Sequence, residues 1–175
     1  MLFEEQLFNR HVGKKVLLDS NLLVVLLTGA FDASLFGRFK RVSRFTADAY
    51  DFLVRFVRSF STLLTTPHIL TEVSNLANSL QGWQKVGWIE NFAALISSDG
   101  SAGRLREHWS PASNLAQTTE FSAFGITDAA LSDLSSDALV VTEDYRLSGV
   151  LRRKGRDVIN FRDLRDLWHL IDAGA

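Results

Sequence analysis

The chain has 175 residues, 46% hydrophobic and 22% charged, with a formal net charge of −1 and no cysteine. That balance supplies apolar mass for a single globular domain over 1–175 and excludes a disordered chain, which carries less hydrophobicity and more net charge. The missing cysteines exclude disulfide frameworks and thiolate zinc sites, and the near-zero charge gives no global field to attract nucleic acid.

The opening MLFEEQLFNRH is acidic and amphipathic, unlike a secretory signal, and with the missing cysteines it sets the expectation of a cytoplasmic protein. No segment is expected to cross a membrane: VLLDSNLLVVLLTG, Val16 to Gly29, carries Asp19 and falls short of the roughly 20 apolar residues of a span. Lys15 to Leu18 read as a strand buried on both faces, with Asp19 at its exit. Ser20 to Leu27 open a helix, with Ser20 as its cap. Thr46 caps a helix through about Phe60, with Tyr50, Leu53, Val54 and Val57 on one stripe. Leu63 and Leu64 form a brief apolar segment, and Thr66-Pro67 start a helix to about Leu80. Trp83 to Ile96 are helical, closed by Asp99-Gly100, and Ser110-Pro111 repeat the cap-and-proline start. Gly125-Ile126-Thr127 introduce a helix from Asp128 to Leu134. Ala138 to Thr142 form another buried strand, again ending in acids, Glu143 and Asp144. A helix from Arg146 to Arg153 stops at Gly155, Asp157 to Asn160 are the last strand, and Asn160 caps a terminal helix. Strands alternating with helices predict an α/β fold with a mainly parallel central sheet. In such sheets ligands bind beyond the C-terminal strand ends, where the strand order reverses.

Two apolar strands end in carboxylates, Asp19 and Asp144. Glu72 lies nearly two turns into the Thr66-Pro67 helix, and Asp128 opens the helix after Gly125. No lysine accompanies any of them locally. Carboxylates brought together without cations repel, so some protonate or a cation neutralises them. A hard divalent ion, Mg²⁺ or Mn²⁺, is the usual partner of oxygen ligands. Each acid also has a plainer reading: a helix-terminal or turn acid for Asp19, Asp128 and Asp144, and a solvated helix residue for Glu72.

The segments VLLDSNLLVVLL, TTPHILTEVSN, FGITDAAL and ALVVTEDYRLSGVLRRKG, in that order from about Val16 to Leu164, resemble PIN-domain ribonucleases. The resemblance aligns Asp19, Glu72, Asp128 and Asp144 with that family's metal-holding, catalytic acids, and Asn21 and Thr142 with its supporting polar positions. It implies a three-layer α/β/α fold and Mg²⁺- or Mn²⁺-dependent hydrolysis of RNA. It also implies a possible place in a toxin–antitoxin pair, with an antitoxin protein as partner, and a possible homodimer. The stretch from Lys85 to Thr119 and the N-terminal FEEQLFNRH exceed a minimal toxin of this kind.

Basic residues cluster after both acid-ending strands. Arg38, Lys40 and Arg41 belong to the first cluster, with Arg44, Arg55 and Arg58, and Arg152, Arg153 and Lys154 to the second, with Arg146 and Arg156. Both could flank the cleft and hold RNA phosphates, or be solvated charged faces. Phe36, Phe39 and Phe45 interleave the first cluster and serve either base stacking or the core. The four histidines lack metal-ligand spacing, and the four tryptophans are expected in the core. A haloacid-type phosphatase would want D-x-D where this chain has Asp19-Ser20-Asn21, and no phosphate-binding G-x-x-x-x-G-K-[ST] loop is present. The remaining alternative is a non-catalytic PIN-like module that binds RNA or a protein.

Overall fold

The computed structural model describes residues 2–97 and 105–165. In chain order the helices are α1 (Phe3–His11), α2 (Ser20–Asp32), α3 (Ala47–Arg58), α4 (Pro67–Leu76), α5 (Gly82–Ser97), α6 (Ala112–Leu115), α7 (Thr119–Phe124), α8 (Ile126–Leu134), α9 (Tyr145–Arg153) and α10 (Phe161–Arg165). The strands are β1 (Lys15–Leu18), β2 (Thr62–Thr65), β3 (Leu105–Glu107), β4 (Leu139–Thr142) and β5 (Val158–Asn160). They form one sheet in the order β3-β2-β1-β4-β5, with every pairing parallel. Leu17 sits opposite Leu64 on one side and Val140 on the other.

All four residues of β4 are fully buried. Successive strand side chains point to opposite faces, so both faces are covered, and the fold is a three-layer α/β/α arrangement. From β1 the chain steps outward through β2 to β3, whereas β4 and β5 lie on the other side. The order therefore reverses between β1, which Asp19 follows, and β4, which ends in Thr142.

Close packing fixes the helices around this point. The buried indole of Trp88 donates to the Thr28 hydroxyl at 3.0 Å and ties α5 to α2. Gly29 and Gly87 let two aromatic rings press onto helix backbone: a Cβ would stand 2.3 Å from the Tyr50 ring at Gly29 and 2.4 Å from the Phe31 ring at Gly87.

Several elements depart from the sequence expectation. Asp19 caps α2, accepting the Leu22 N–H at 2.8 Å, while Ser20 is the first helical residue. On α3 the deepest positions are Ala49, Phe52, Leu53 and Phe56, and Tyr50, Val54 and Val57 sit at the rim. The aromatics are drawn inward by the Phe8, Phe60 and Phe161 rings. Strand β3 and helix α7 have no counterpart in the sequence pattern. Trp83 and Trp109 are 70% exposed, so of the described tryptophans only Trp88 is a core residue. Phe39 and Phe45 are buried, which places them in the core and not on a stacking surface. The closing Asp99-Gly100, His169 and Trp168 lie outside the described residues. Among the described residues no helix is long and apolar enough to cross a membrane.

Candidate active site

At the reversal point Asp19 is buried, and both its carboxylate oxygens are held. Oδ1 accepts the Leu22 N–H, and Oδ2 accepts the Thr142 hydroxyl at 2.6 Å and the Glu143 N–H at 3.0 Å. The Thr142 Oγ1 in turn accepts the Asp144 N–H at 3.0 Å. One buried hydroxyl therefore links the ends of β1 and β4 and orients two of the candidate acids. Burial pushes the Asp19 carboxyl upward, and the Thr142, Leu22 and Glu143 hydrogen bonds with the Arg44 charge offset this only in part.

Asp144 is exposed and caps α9, its Oδ1 accepting the Arg146 and Leu147 N–H groups at 2.7 and 3.1 Å. Glu72, on α4, accepts the Ser20 hydroxyl at 2.7 Å through Oε2. Asp128 lies in the first turn of α8, which turns out of α7 at Gly125 (φ +93°) and packs on α4. Desolvation pushes Asp128 up to about 7, helped by the charges of Glu72, Asp19 and Asp144. The four acids, drawn from positions 19 to 144, are thus electrostatic neighbours.

They do not form a finished cage. Among the described residues no three His, Asp or Glu side chains are gathered closely enough to hold one ion. The two findings agree once range is considered: Coulomb repulsion acts over many ångströms, whereas an Mg²⁺–oxygen bond is about 2.0–2.1 Å. Carboxylates without a counter-ion hold one another apart. The donor set suits a hard cation, since every donor is an oxygen. Among the described residues, the Asp128 side chain has no hydrogen-bond or ion-pair partner, and Glu72 and Asp144 each use only one carboxylate oxygen in side-chain hydrogen bonds.

Asn21, the other expected supporting residue, is exposed on α2 and makes no side-chain hydrogen bond among the described residues. Three residues read in the sequence only as a helix cap, a strand-end acid and a member of a basic cluster lie against the candidate acids. Ser20 orients Glu72. Glu143 is buried, ion-paired to Arg44, with the Arg162 Nε 4.0 Å away. Arg44 lies beside Asp19 and over the Phe45 ring, 5.4 Å from its centroid. The signals were present as the second acid of Thr142-Glu143-Asp144 and as one member of the first basic cluster, but neither shows which acid pairs with which cation.

The expected basic flanks divide. Arg38 and Lys40 line a separate groove of about 320 Å³ with Leu80, Gln81 and Gln84, and Arg41 is exposed. Arg152 donates to the Val158 carbonyl at 3.3 Å and lies 3.7 Å from Glu4 and 3.9 Å from Asp163. Lys154 is ion-paired with buried Glu120. Arg152 and Lys154 thus hold the fold together, and Arg153 lines a cavity between α7 and α9. Compared with known proteins, the chain matches no family model, and no curated protein is significantly similar to it.

Proposed function

We propose that this chain is a metal-dependent ribonuclease of the PIN type, hydrolysing RNA phosphodiester bonds. The observation that carries the reading is the placement of Asp19 and Asp144 where strand order reverses, near enough to Glu72 and Asp128 for the charges of the other three to raise the Asp128 carboxyl. Asp19 and Asp144 are joined there through Thr142, and Glu72 is held by Ser20. These four acids would hold Mg²⁺ or Mn²⁺, which when bound supplies Lewis acidity toward a phosphate oxygen and acidifies a water. Thr142 and the Leu22 and Glu143 N–H groups fix the Asp19 rotamer, so this carboxylate meets a cation without reorganising. Without a cation, Asp128 holds a proton up to about neutral pH. Arg44, half exposed, pairs with Glu143 and so neutralises a fifth carboxylate, itself buried, beside the four acids. A toxin role with an antitoxin partner, a homodimer and a cytoplasmic setting belong to the same reading and rest on the motif resemblance.

The test is cleavage of a mixed RNA pool with EDTA, Mg²⁺ or Mn²⁺, by the wild type and Asp19→Asn. Cleavage that needs the metal and is lost in the variant supports the reading; wild-type cleavage that persists in EDTA refutes it. One observation favours a second reading, a non-catalytic RNA-binding module: hydrogen bonds within the protein already engage both Asp19 oxygens. RNA binding with no cleavage in either metal would select it.

A further inference from the structure

A groove of about 490 Å³ lies between α7 and α9 and is lined by Phe124, Tyr145, Arg146, Gly149 and Arg153 among others. It begins beside the acids, because Tyr145 and Arg146 directly follow Asp144. Arg146 and Arg153 stand seven residues apart, two turns along one face of α9, about 10 Å at helical rise. Between them Gly149 contributes no side chain, and a Cβ there would meet only the Arg153 Nη1, at 3.6 Å. Neither arginine has a carboxylate partner among the described residues, in contrast to Arg44, Arg152 and Lys154. The one acid in the wall, Glu120, is neutralised by Lys154. The Arg146 guanidinium lies 5.5 Å from the Phe124 ring centroid, and Tyr145 is 53% exposed. Two cations without carboxylate partners stand two turns apart, and the Arg146 guanidinium, backed by the Phe124 ring, offers its outer plane to an unstacked base, so the groove suits phosphates together with unpaired bases. A duplex hides its base faces and cannot use such surfaces.

We propose that the groove between α7 and α9 is a track for single-stranded polynucleotide, with Arg146 and Arg153 as its phosphate contacts. The inference takes its ligand class from the ribonuclease reading and adds where the strand lies and that it is unpaired. The test is fluorescence anisotropy in EDTA at several salt concentrations, with labelled oligouridylate, oligothymidylate and an RNA duplex of equal length. The variants are Arg146→Gln/Arg153→Gln, Gly149→Leu and, as a control, Arg38→Gln/Lys40→Gln, each checked by thermal melting for an intact fold. The wild type should bind single strands more tightly than the duplex. The double arginine variant should bind roughly tenfold more weakly, with its salt slope reduced by about 1.4, the value for two lost contacts to a single strand. Gly149→Leu should also weaken binding although both arginines remain, and the control should bind like wild type. Unchanged affinity in the double variant, preference for the duplex, or no wild-type binding at low salt would overturn the track. Because binding is read without metal, the two readings fail separately. Groove-dependent binding without cleavage in any metal rejects the nuclease alone, and metal-dependent cleavage by a double variant of wild-type affinity rejects the track alone.

Discussion

Asp128→Asn should stabilise the metal-free protein, and only above mildly acidic pH. Burial and the charges of Glu72, Asp19 and Asp144 raise the Asp128 carboxyl from its ordinary 3.8 to about 7. Between those values the folded state binds a proton that the unfolded state has released, so stability falls as pH rises through the window and levels off above about 7. At about 1.4 kcal/mol per pH unit, the span sets a ceiling of about 4 kcal/mol on the cost of ionising Asp128 in the fold. Asp128 is only partly buried, and water reaching it reduces that to about 1–3 kcal/mol. An asparagine has nearly the same shape and never ionises. For a chain of this size the gain corresponds to roughly 2–10 °C in melting temperature at pH 8, shrinking toward zero near pH 4. Melts followed by circular dichroism in EDTA at both pH values provide the assay. Adding Mg²⁺ or Mn²⁺ at pH 8 should raise the wild-type midpoint, by binding the folded state, and raise the variant's less. A midpoint shift for Asp128→Asn that is equal at pH 4 and pH 8 would refute the electrostatic coupling of the four acids.

Thr142→Val keeps the shape of the side chain but leaves the Asp144 N–H without its acceptor and Asp19 Oδ2 with one donor; a loss of about 2–3 kcal/mol in urea unfolding is expected, with metal-dependent cleavage reduced. Gly87→Ala should destabilise by about 1–3 kcal/mol despite alanine's higher helix propensity, because the new methyl collides with the Phe31 ring; a stabilised variant would show that the ring moves freely. Lys154→Ala strands the buried Glu120 carboxylate. Burial pushes that carboxyl up, but Lys154 and the surrounding hydrogen bonds hold it below its ordinary 4.5. The pair's contribution is therefore present above about 4.5 and lost as pH falls through the lowered value. The variant should be less stable than wild type by about 1–3 kcal/mol at pH 7, with the gap closing in acid.

What could be read from the sequence follows the range of the interactions involved. The apolar runs Val16–Leu18 and Leu139–Val141 announce strands buried on both faces, and acids soon after such runs mark where the chain leaves the sheet, so the position of Asp19 and Asp144 at the strand exits was legible. Thr46 and Thr66 are equally legible, because a cap bonds a backbone N–H three residues away. Strand β3 was not, since Leu105-Arg106-Glu107 at the sheet edge has no apolar run and is defined only by its pairing with β2. Capping itself misleads at one position: Ser20 follows the general preference for caps, but its hydroxyl has a stronger claim on it, the Glu72 carboxylate 52 residues away. The charged residues show the same limit most clearly. Local composition places Arg44, Arg152, Arg153 and Lys154 in two basic clusters of equal standing, and only tertiary contacts sort them. Glu143 draws Arg44 to the acids, Glu4 and Glu120 draw Arg152 and Lys154 into the fold, and Arg153 remains to face the groove. A cation's role at this site is thus decided by which buried acid lies within reach, a property of the folded chain that no window of sequence contains.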